Sequence, residues 1–257
     1  MVGSCNGLVC FCIPHHRVND PVYICNPITT EYINLPRLEI KYGVVISGFG
    51  YHFSSNTYKV VRIHYTDRFR TFEPITKGSV EIYTLGSGTG WRNIGEITYK
   101  LCDTGVLANG SLYWLDYEQK RIVVFPLGDE HFRCLPTIPQ CLRDSENATY
   151  HVKVLGGDLC LVHVDAGKHV HIWSYKNKHK RNDIDNDKEE GYQSLSWTLE
   201  FRIPCIDPDG KYEPFALTKK NEVLLWLNRT CLCCYDKTDD CLYEIVAEDR
   251  NLSFGAF

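Results

Sequence analysis

Cysteines near the end of the sequence have the spacing that could bind a metal ion. Cys231 and Cys234 form a C-x-x-C pair, and Cys233 lies between them. A structural zinc ion needs four ligands, commonly two such pairs, and the sequence contains no second C-x-x-C. On a strand, Cys231 and Cys233 would face one side and Cys234 the other. We therefore interpret these thiols as packed core residues.

Three histidines and a run of aspartates are further candidates for metal binding. His169 and His171 share one face of a predicted strand, and His163 lies on the strand before it, but spacing fixes no acidic or cysteine partner. Histidines on exposed strand faces are also common. Alternating aspartates in Asp183–Asp187 resemble the start of a calcium loop, but lysine and serine occupy the positions that require glycine and glutamate. We expect no metal site.

Motifs for catalysis are also missing from the sequence. Gly86–Gly90 is glycine-rich like a phosphate loop, but no Lys-Ser/Thr pair and no helix follow it. It is better interpreted as a turn before Trp91. No Gly-x-Ser-x-Gly nucleophile elbow occurs. We expect no catalytic residue, no enzyme activity and no cofactor.

The elements that would position these residues are short strands, and five similar units can be aligned. In four units the second strand follows a tight turn such as Asn6-Gly7 or Asn109-Gly110, and Asn-Gly is a strong hairpin signal. The third strands are Val22–Cys25, Val80–Leu85, Ile122–Leu127, Val170–Tyr175 and Cys231–Tyr235. The fourth strands each begin with an aromatic residue and are Tyr32–Leu35, Trp91–Ile94, Phe132–Leu135, Trp197–Leu199 and Tyr243–Val246.

Repeated four-stranded antiparallel units of this length are typical of β-propeller blades. One blade cannot bury both of its faces, so neighbouring blades must cover each other. The sequence therefore predicts an all-β fold, a β-propeller of about five blades, with residues 1–257 as a single domain. A β-sandwich with similarly spaced strands is the alternative. The first unit has only Val2–Cys5 for its opening strand, so we expect ring closure to join the termini or to need further residues.

Two units carry insertions, Thr66–Gly78 between a second and a third strand and Lys176–Gly191 between a third and a fourth. Successive connections of an antiparallel blade alternate between its rims, so we expect the insertions on opposite rims. The second insertion holds five positive and five negative charges, which indicates a solvated loop.

The first insertion combines arginines with aromatic residues, which are enriched in interface hot spots. Long loops on a rigid scaffold often carry function. We therefore predict a protein-binding site formed by Arg68, Phe69, Arg70 and Phe72. The alternative is a solvated loop whose aromatic side chains pack back onto the blade.

Composition limits the partners and the compartment. The formal net charge is -4 and lysines and arginines are not clustered, which argues against nucleic acid. Apolar runs are too short to span a bilayer, so we expect no membrane partner. The thirteen cysteines are an odd number, and Met1–Cys12 lacks the features of a secretory signal. We expect a reducing compartment, cytoplasmic or nuclear.

The opening segment Gly3–Cys10 resembles the start of the F-box-associated domain of plant F-box proteins, a kelch-like propeller. Further matching elements follow in the same order: Cys25–Thr29 with Leu35-Pro36, Gly48–Tyr51 with Tyr58–Arg62, Val80–Tyr83 with Trp91-Arg92, and Ala108–Trp114. Cys25 stands where the family usually has tryptophan, and His52 where it has aspartate.

The resemblance implies a protein-interaction module that captures a target protein for an SCF-type ubiquitin ligase. The family supplies no fixed binding residues. No helical segment precedes Gly3, so we expect the F-box to be absent and the ligase adaptor to bind only if an F-box is supplied elsewhere. A carbohydrate-binding or enzymatic propeller of the kelch type is one alternative. A decoy that competes with full-length relatives for targets is another.

Overall fold

The structure is a computed structural model that describes residues 1–15, 18–39, 43–66, 77–136, 138–139, 148–165, 167–177 and 195–245. Within these residues it contains twenty strands and no helix, and hence no helix long and apolar enough to cross a membrane. The chain divides into two compact units, Met1–Arg143 and Asp144–Phe257.

Three four-stranded antiparallel blades form the first unit. The first blade contains β1 (Gly3–Cys5), β2 (Leu8–His15), β3 (Val18–Cys25) and β4 (Tyr32–Asn34). The second contains β5 (Val44–His52), β6 (Thr57–Tyr65), β7 (Gly78–Thr84) and β8 (Trp91–Ile97). The third contains β9 (Leu101–Ala108), β10 (Ser111–Asp116), β11 (Arg121–Pro126) and β12 (Arg133–Cys134). The second and third blades join into one eight-stranded sheet through a parallel contact between β5 and β9.

Two more four-stranded blades form the second unit. The fourth blade contains β13 (Ala148–Leu155), β14 (Asp158–Asp165), β15 (His169–Asn177) and β16 (Leu195–Pro204). The fifth contains β17 (Tyr212–Leu217), β18 (Val223–Leu227), β19 (Cys231–Asp236) and β20 (Cys241–Glu244). These twenty strands confirm the prediction of an all-β propeller with five four-stranded repeats. The opening strand expected from Val2–Cys5 is β1, which pairs with β2.

Tight turns follow the asparagine and glycine signals. Asn6 and Gly7 have φ angles of 46° and 78°, and Asn109 and Gly110 have 47° and 70°. Both pairs therefore occupy the left-handed region that a two-residue type I′ hairpin requires. This conformation confirms the predicted hairpins that lead into β2 and β10.

Apolar faces of neighbouring blades are buried against each other within each unit. Cys10 and Ile24 of the first blade share a core with Val60 of the second. The opposite face of β6 enters the core shared by the second and third blades, which includes Val61, Ile63, Trp114 and Phe125. In the second unit, the fourth and fifth blades share a core that includes Val162, Ile172, Val223 and Leu225. Each shared core shows one blade covering the face of the next.

Two glycines allow the inner strands β5 and β9 to approach each other. Gly48 and Gly105 are register partners in the parallel contact. A Cβ atom added at Gly105 would lie 2.3 Å from the ring of Trp114, and one added at Gly48 would lie 2.8 Å from the same ring. The buried indole fills the space that two side chains would otherwise occupy, so both positions need glycine.

Candidate binding groove

A groove of about 590 Å³ runs between the second and third blades, at their outer strands. One wall is β8 with the residues that follow it, Thr98 and Tyr99. The other wall is the segment Asp129–Phe132, which connects β11 to β12. We define these two walls and Val80 beneath them as the β8 groove.

The two outer strands beside the groove differ in length. β8 has seven residues, whereas β12 has two. The sequence had indicated a longer outer strand, Phe132–Leu135, in the third blade.

The apolar part of the β8 groove is formed by side chains that are only partly buried. Ile94, Tyr99 and Phe132 pack against the core shared by the two blades. The Phe132 ring lies 4.7 Å from the ring of Phe125 and 5.9 Å from the indole of Trp114, measured between centroids. The core therefore fixes the Phe132 ring from behind, while part of its surface faces the groove.

An ion-pair network of Lys59, Arg92 and Glu130 holds the opposite wall in place. Lys59 on β6 donates hydrogen bonds to the Leu127 carbonyl at 2.6 Å and to Glu130 Oε1 at 2.8 Å. Arg92 on β8 donates to the second carboxylate oxygen of Glu130. Burial alone would raise the pKa of Glu130, but the hydrogen bonds and charges of Lys59 and Arg92 outweigh it and lower the pKa from its ordinary value. Glu130 is therefore a fixed carboxylate shared by two cations.

A β-bulge interrupts β8 where it borders the groove. Val80 pairs with Gly95 and Glu81 pairs with Asn93, so Ile94 is the extra residue. Gly95 has a φ of 112°, and its N–H donates to the Asn93 side-chain oxygen at 2.9 Å. A bulge of this kind bends an outer strand and breaks its regular ladder.

The groove reaches the base of the first insertion. Gly78, the last residue of the insertion, is the register partner of Ile97 at the end of β8. Lys77 pairs with Glu96 of the groove at 2.9 Å. The predicted binding residues lie outside the described residues: Arg68, Phe69, Arg70 and Phe72. The structure thus gives the insertion's two ends and a groove beside them.

Two cysteines of β19, Cys231 and Cys233, pack in the core shared by the fourth and fifth blades. Cys233 and Cys234 are buried, and Cys231 is partly buried. The Sγ atoms of Cys231 and Cys233 are 3.4 Å apart, as expected for alternate residues on one strand face. Burial raises the pKa of Cys231 to about 12, so this thiol is protonated at neutral pH. In the part of the chain that the structure describes, no three His, Cys, Asp or Glu side chains are grouped to hold a metal ion.

The three histidines meet on the fourth blade. His163 pairs with His171 across β14 and β15, and their rings stack at 5.3 Å; the rings of His169 and His171 lie 5.7 Å apart. His163 does not lie on an exposed strand face, because the residue is 6% exposed. The Tyr150 ring stacks on its imidazole, with 4.9 Å between the ring centroids. Burial lowers the pKa of His163 and of His171, which favours neutral imidazoles.

Two sequence candidates remain, the glycine-rich segment Gly86–Gly90 and the aspartates of Asp183–Asp187. Gly86, Gly88 and Gly90 have positive φ angles and connect β7 to β8, so Gly86–Gly90 is a turn, as interpreted. The aspartates of Asp183–Asp187 lie outside the described residues. The β8 groove itself was not predicted from the sequence. The signal that was present is the pair of charged residues Asp129 and Glu130, shortly before the aromatic residue Phe132.

Comparison with known proteins identifies the family. Residues 1–186 match the family described as F-box associated beta propeller domain. In Arabidopsis thaliana, the F-box protein At3g07870 is 31% identical over 253 residues, 88% of this chain and 55% of the relative. The putative F-box protein At1g33530 is 30% identical over 187 residues, 66% of this chain and 38% of the relative. The F-box protein CPR1 is 25% identical, covering 99% of this chain and 65% of the relative.

This chain spans less than two thirds of the length of each of these relatives. The match to the family covers most of the chain and includes the first three blades entirely. It agrees with the order of elements from Gly3 to Trp114 on which the resemblance was based. The chain therefore belongs to the F-box-associated β-propeller domain family.

Proposed function

We propose that this chain is a non-enzymatic recognition domain that binds a target protein for an SCF-type ubiquitin ligase. Membership of the F-box-associated family supports a role in protein interaction. The observation that carries the proposal is the β8 groove at the base of the first insertion, where Gly78 pairs with Ile97. A rigid pair of blades and an adjoining long loop form the kind of surface that protein recognition uses.

The recognition surface in this proposal combines the insertion with the groove. Arg68, Phe69, Arg70 and Phe72 supply the residue types that are enriched in hot spots. The groove adds partly buried aromatic surface at Tyr99 and Phe132. The ligase adaptor binds through an F-box supplied elsewhere, and the complex acts in the cytoplasm or the nucleus.

Affinity capture from plant extract tests this function. The bait is the full chain, compared with a variant in which Arg68, Phe69, Arg70 and Phe72 are all changed to alanine. The matched control changes four residues of the charged insertion to alanine: Lys178, Lys180, Arg181 and Lys188. We expect the first variant to lose a specific protein that the control retains. Identical captured proteins for all three baits would refute the insertion as the binding site.

A second arm tests the link to the ligase. The chain is captured with and without an F-box segment fused to its N-terminus. We expect the adaptor only with the fusion, and the target with both. Recovery of the adaptor by the chain alone would contradict this division of roles.

A further inference from the structure

The apolar part of the β8 groove offers partly buried apolar side chains on both of its walls. Ile94 on one wall and Phe132 on the other pack against the core, yet each keeps part of its surface uncovered. Apolar surface in a concave site favours an apolar ligand group, because binding removes both surfaces from water.

Cations outnumber carboxylates at one position beside the groove, at Glu130. Lys59 and Arg92 share the single carboxylate of Glu130, which leaves one excess positive charge. The other two carboxylates each have a cation of their own, in the pairs Glu96 with Lys77 and Asp129 with Arg133. Of these two cations Arg92 is the one that lines the groove, and its side chain is 53% exposed.

The Arg92 guanidinium is positioned to accept a second carboxylate. Its hydrogen bond to Glu130 uses Nη2, and arginine presents five N–H donors in a planar fork. Arginine binds carboxylates through short, charge-assisted bonds. Glu130, which is itself held by the buried Lys59, keeps the Arg92 side chain beside the groove. Little conformational entropy of Arg92 is therefore lost when a ligand binds.

We propose that the β8 groove binds an extended peptide segment of a partner protein, with a carboxylate on Arg92 and a large apolar side chain between Ile94 and Phe132. Arg92 and Ile94 are two residues apart and both line the groove. Side chains two residues apart on an extended peptide also face the same side. The recognised element is therefore an acidic and a large apolar residue separated by one residue.

This inference rests on the proposed function and specifies the chemistry of the partner. The probe is a pool of eight-residue peptides that contain Glu and Phe separated by one residue, in either order, within a random background of Ser, Gly and Thr. Matched pools replace Glu by Lys or Phe by Ser. Each pool is passed over the immobilised full chain, and retained peptides are counted by mass spectrometry.

We expect the Glu and Phe pool to be retained at least about ten-fold more than either matched pool. Arg92→Ala should abolish the preference for Glu over Lys, and Arg92→Glu should reverse it. Arg92→Lys should retain part of the preference, since the charge remains. The control Arg229→Ala, in the exposed pair with Glu213 of the fifth blade, should leave the preference unchanged. Thermal melting of each variant checks that it is folded.

Equal retention of the pools, or a preference that survives Arg92→Ala in a folded variant, would overturn the inference. So would the absence of retained peptides. Such results leave the proposed function intact if target capture still depends on the first insertion. Conversely, the chain could discriminate the peptide pools while target capture does not depend on the insertion. That result would reject the insertion as a binding site and would support the groove as the peptide-binding site.

Discussion

Lys59 and Arg62 lie three residues apart on β6, and their charged groups lie on opposite faces of the second blade. Lys59 bonds to Leu127 and Glu130 of the third blade. Arg62 pairs with Asp20 of the first blade at 3.1 Å and with Glu81 of its own blade at 2.7 Å. One strand thus joins three blades by ion pairs within the first unit, in addition to its apolar contacts.

Loss of Arg62 should destabilise the first unit strongly. Arg62→Met leaves the buried carboxylate of Asp20 without its cation and removes the contact of Arg62 with the Trp91 ring at 3.9 Å. Breaking a buried pair on one side costs about 3–5 kcal/mol. Urea unfolding followed by tryptophan fluorescence measures the change. The exposed pair of Arg229 with Glu213 is the control, where Arg229→Met should cost less than about 1 kcal/mol. Similar costs for both would contradict the prediction.

Glu130 should make a pH-dependent contribution to stability. Its pKa is lowered in the folded chain from an ordinary value of 4.5, so its stabilising contribution is complete above 4.5 and is lost as pH falls through the folded value. Glu130→Gln should cost about 1–3 kcal/mol at pH 7, and the difference from wild type should shrink below pH 4.5. Urea unfolding from pH 7 to pH 3 measures it. Glu96→Gln, in an exposed pair, is the control and should cost less than about 1 kcal/mol at pH 7. A Glu130→Gln difference that stays constant from pH 7 to pH 3 would argue against the network.

Gly105 should tolerate no side chain while Trp114 is present. In Gly105→Ala the new Cβ would lie 2.3 Å from the indole, and overpacking of this kind costs about 1–3 kcal/mol or more. In a Trp114→Leu background, Gly105→Ala should cost less than it does with Trp114 present, because the smaller side chain leaves room for the methyl group; the comparison is between Trp114→Leu alone and the double variant. Gly3→Ala, whose nearest contact is 3.4 Å, is the control. Thermal melting compares the four variants, and an unaltered Gly105→Ala melting temperature would be inconsistent with the close approach.

We propose that residues 1–257 unfold as one domain, although the structure contains two compact units. Blades need neighbours to cover their faces, so the full chain should show a single calorimetric transition with equal calorimetric and van't Hoff enthalpies. Arg62→Met should lower the temperature of that transition for the whole chain. Two separate transitions, with only one of them shifted by Arg62→Met, would establish two domains.

The repeated strands could be predicted because local signals specify them. Asn-Gly pairs favour the turn before the second strand, and the aromatic residues that were predicted to begin the fourth strands do begin β4 (Tyr32) and β8 (Trp91). The extent of these strands was less predictable. Trp197–Leu199 is only part of β16, whereas the predicted strand Phe132–Leu135 is reduced to two residues.

Long-range contacts of the groove could not be predicted from local patterns. Lys59 meets Glu130 from 71 residues away, and nothing in the segment around either residue specifies the other. The same holds for Arg62 and Asp20, which are 42 residues apart. The sequence around Gly105 does not indicate that glycine is needed there either. The need for glycine arises from the Trp114 ring, which approaches this position only when the strands are assembled.

The bulge at Ile94 has a consequence for how selectivity can change. The bulge interrupts the regular spacing of backbone hydrogen-bonding groups along β8. Discrimination between ligands must therefore come from the identity of a few side chains. Exchange of Arg92 or Ile94 would alter the preferred ligand while the hydrogen-bonded ladder between β7 and β8 stays in place. A receptor built in this way can acquire new specificity through single substitutions, without redesign of its scaffold.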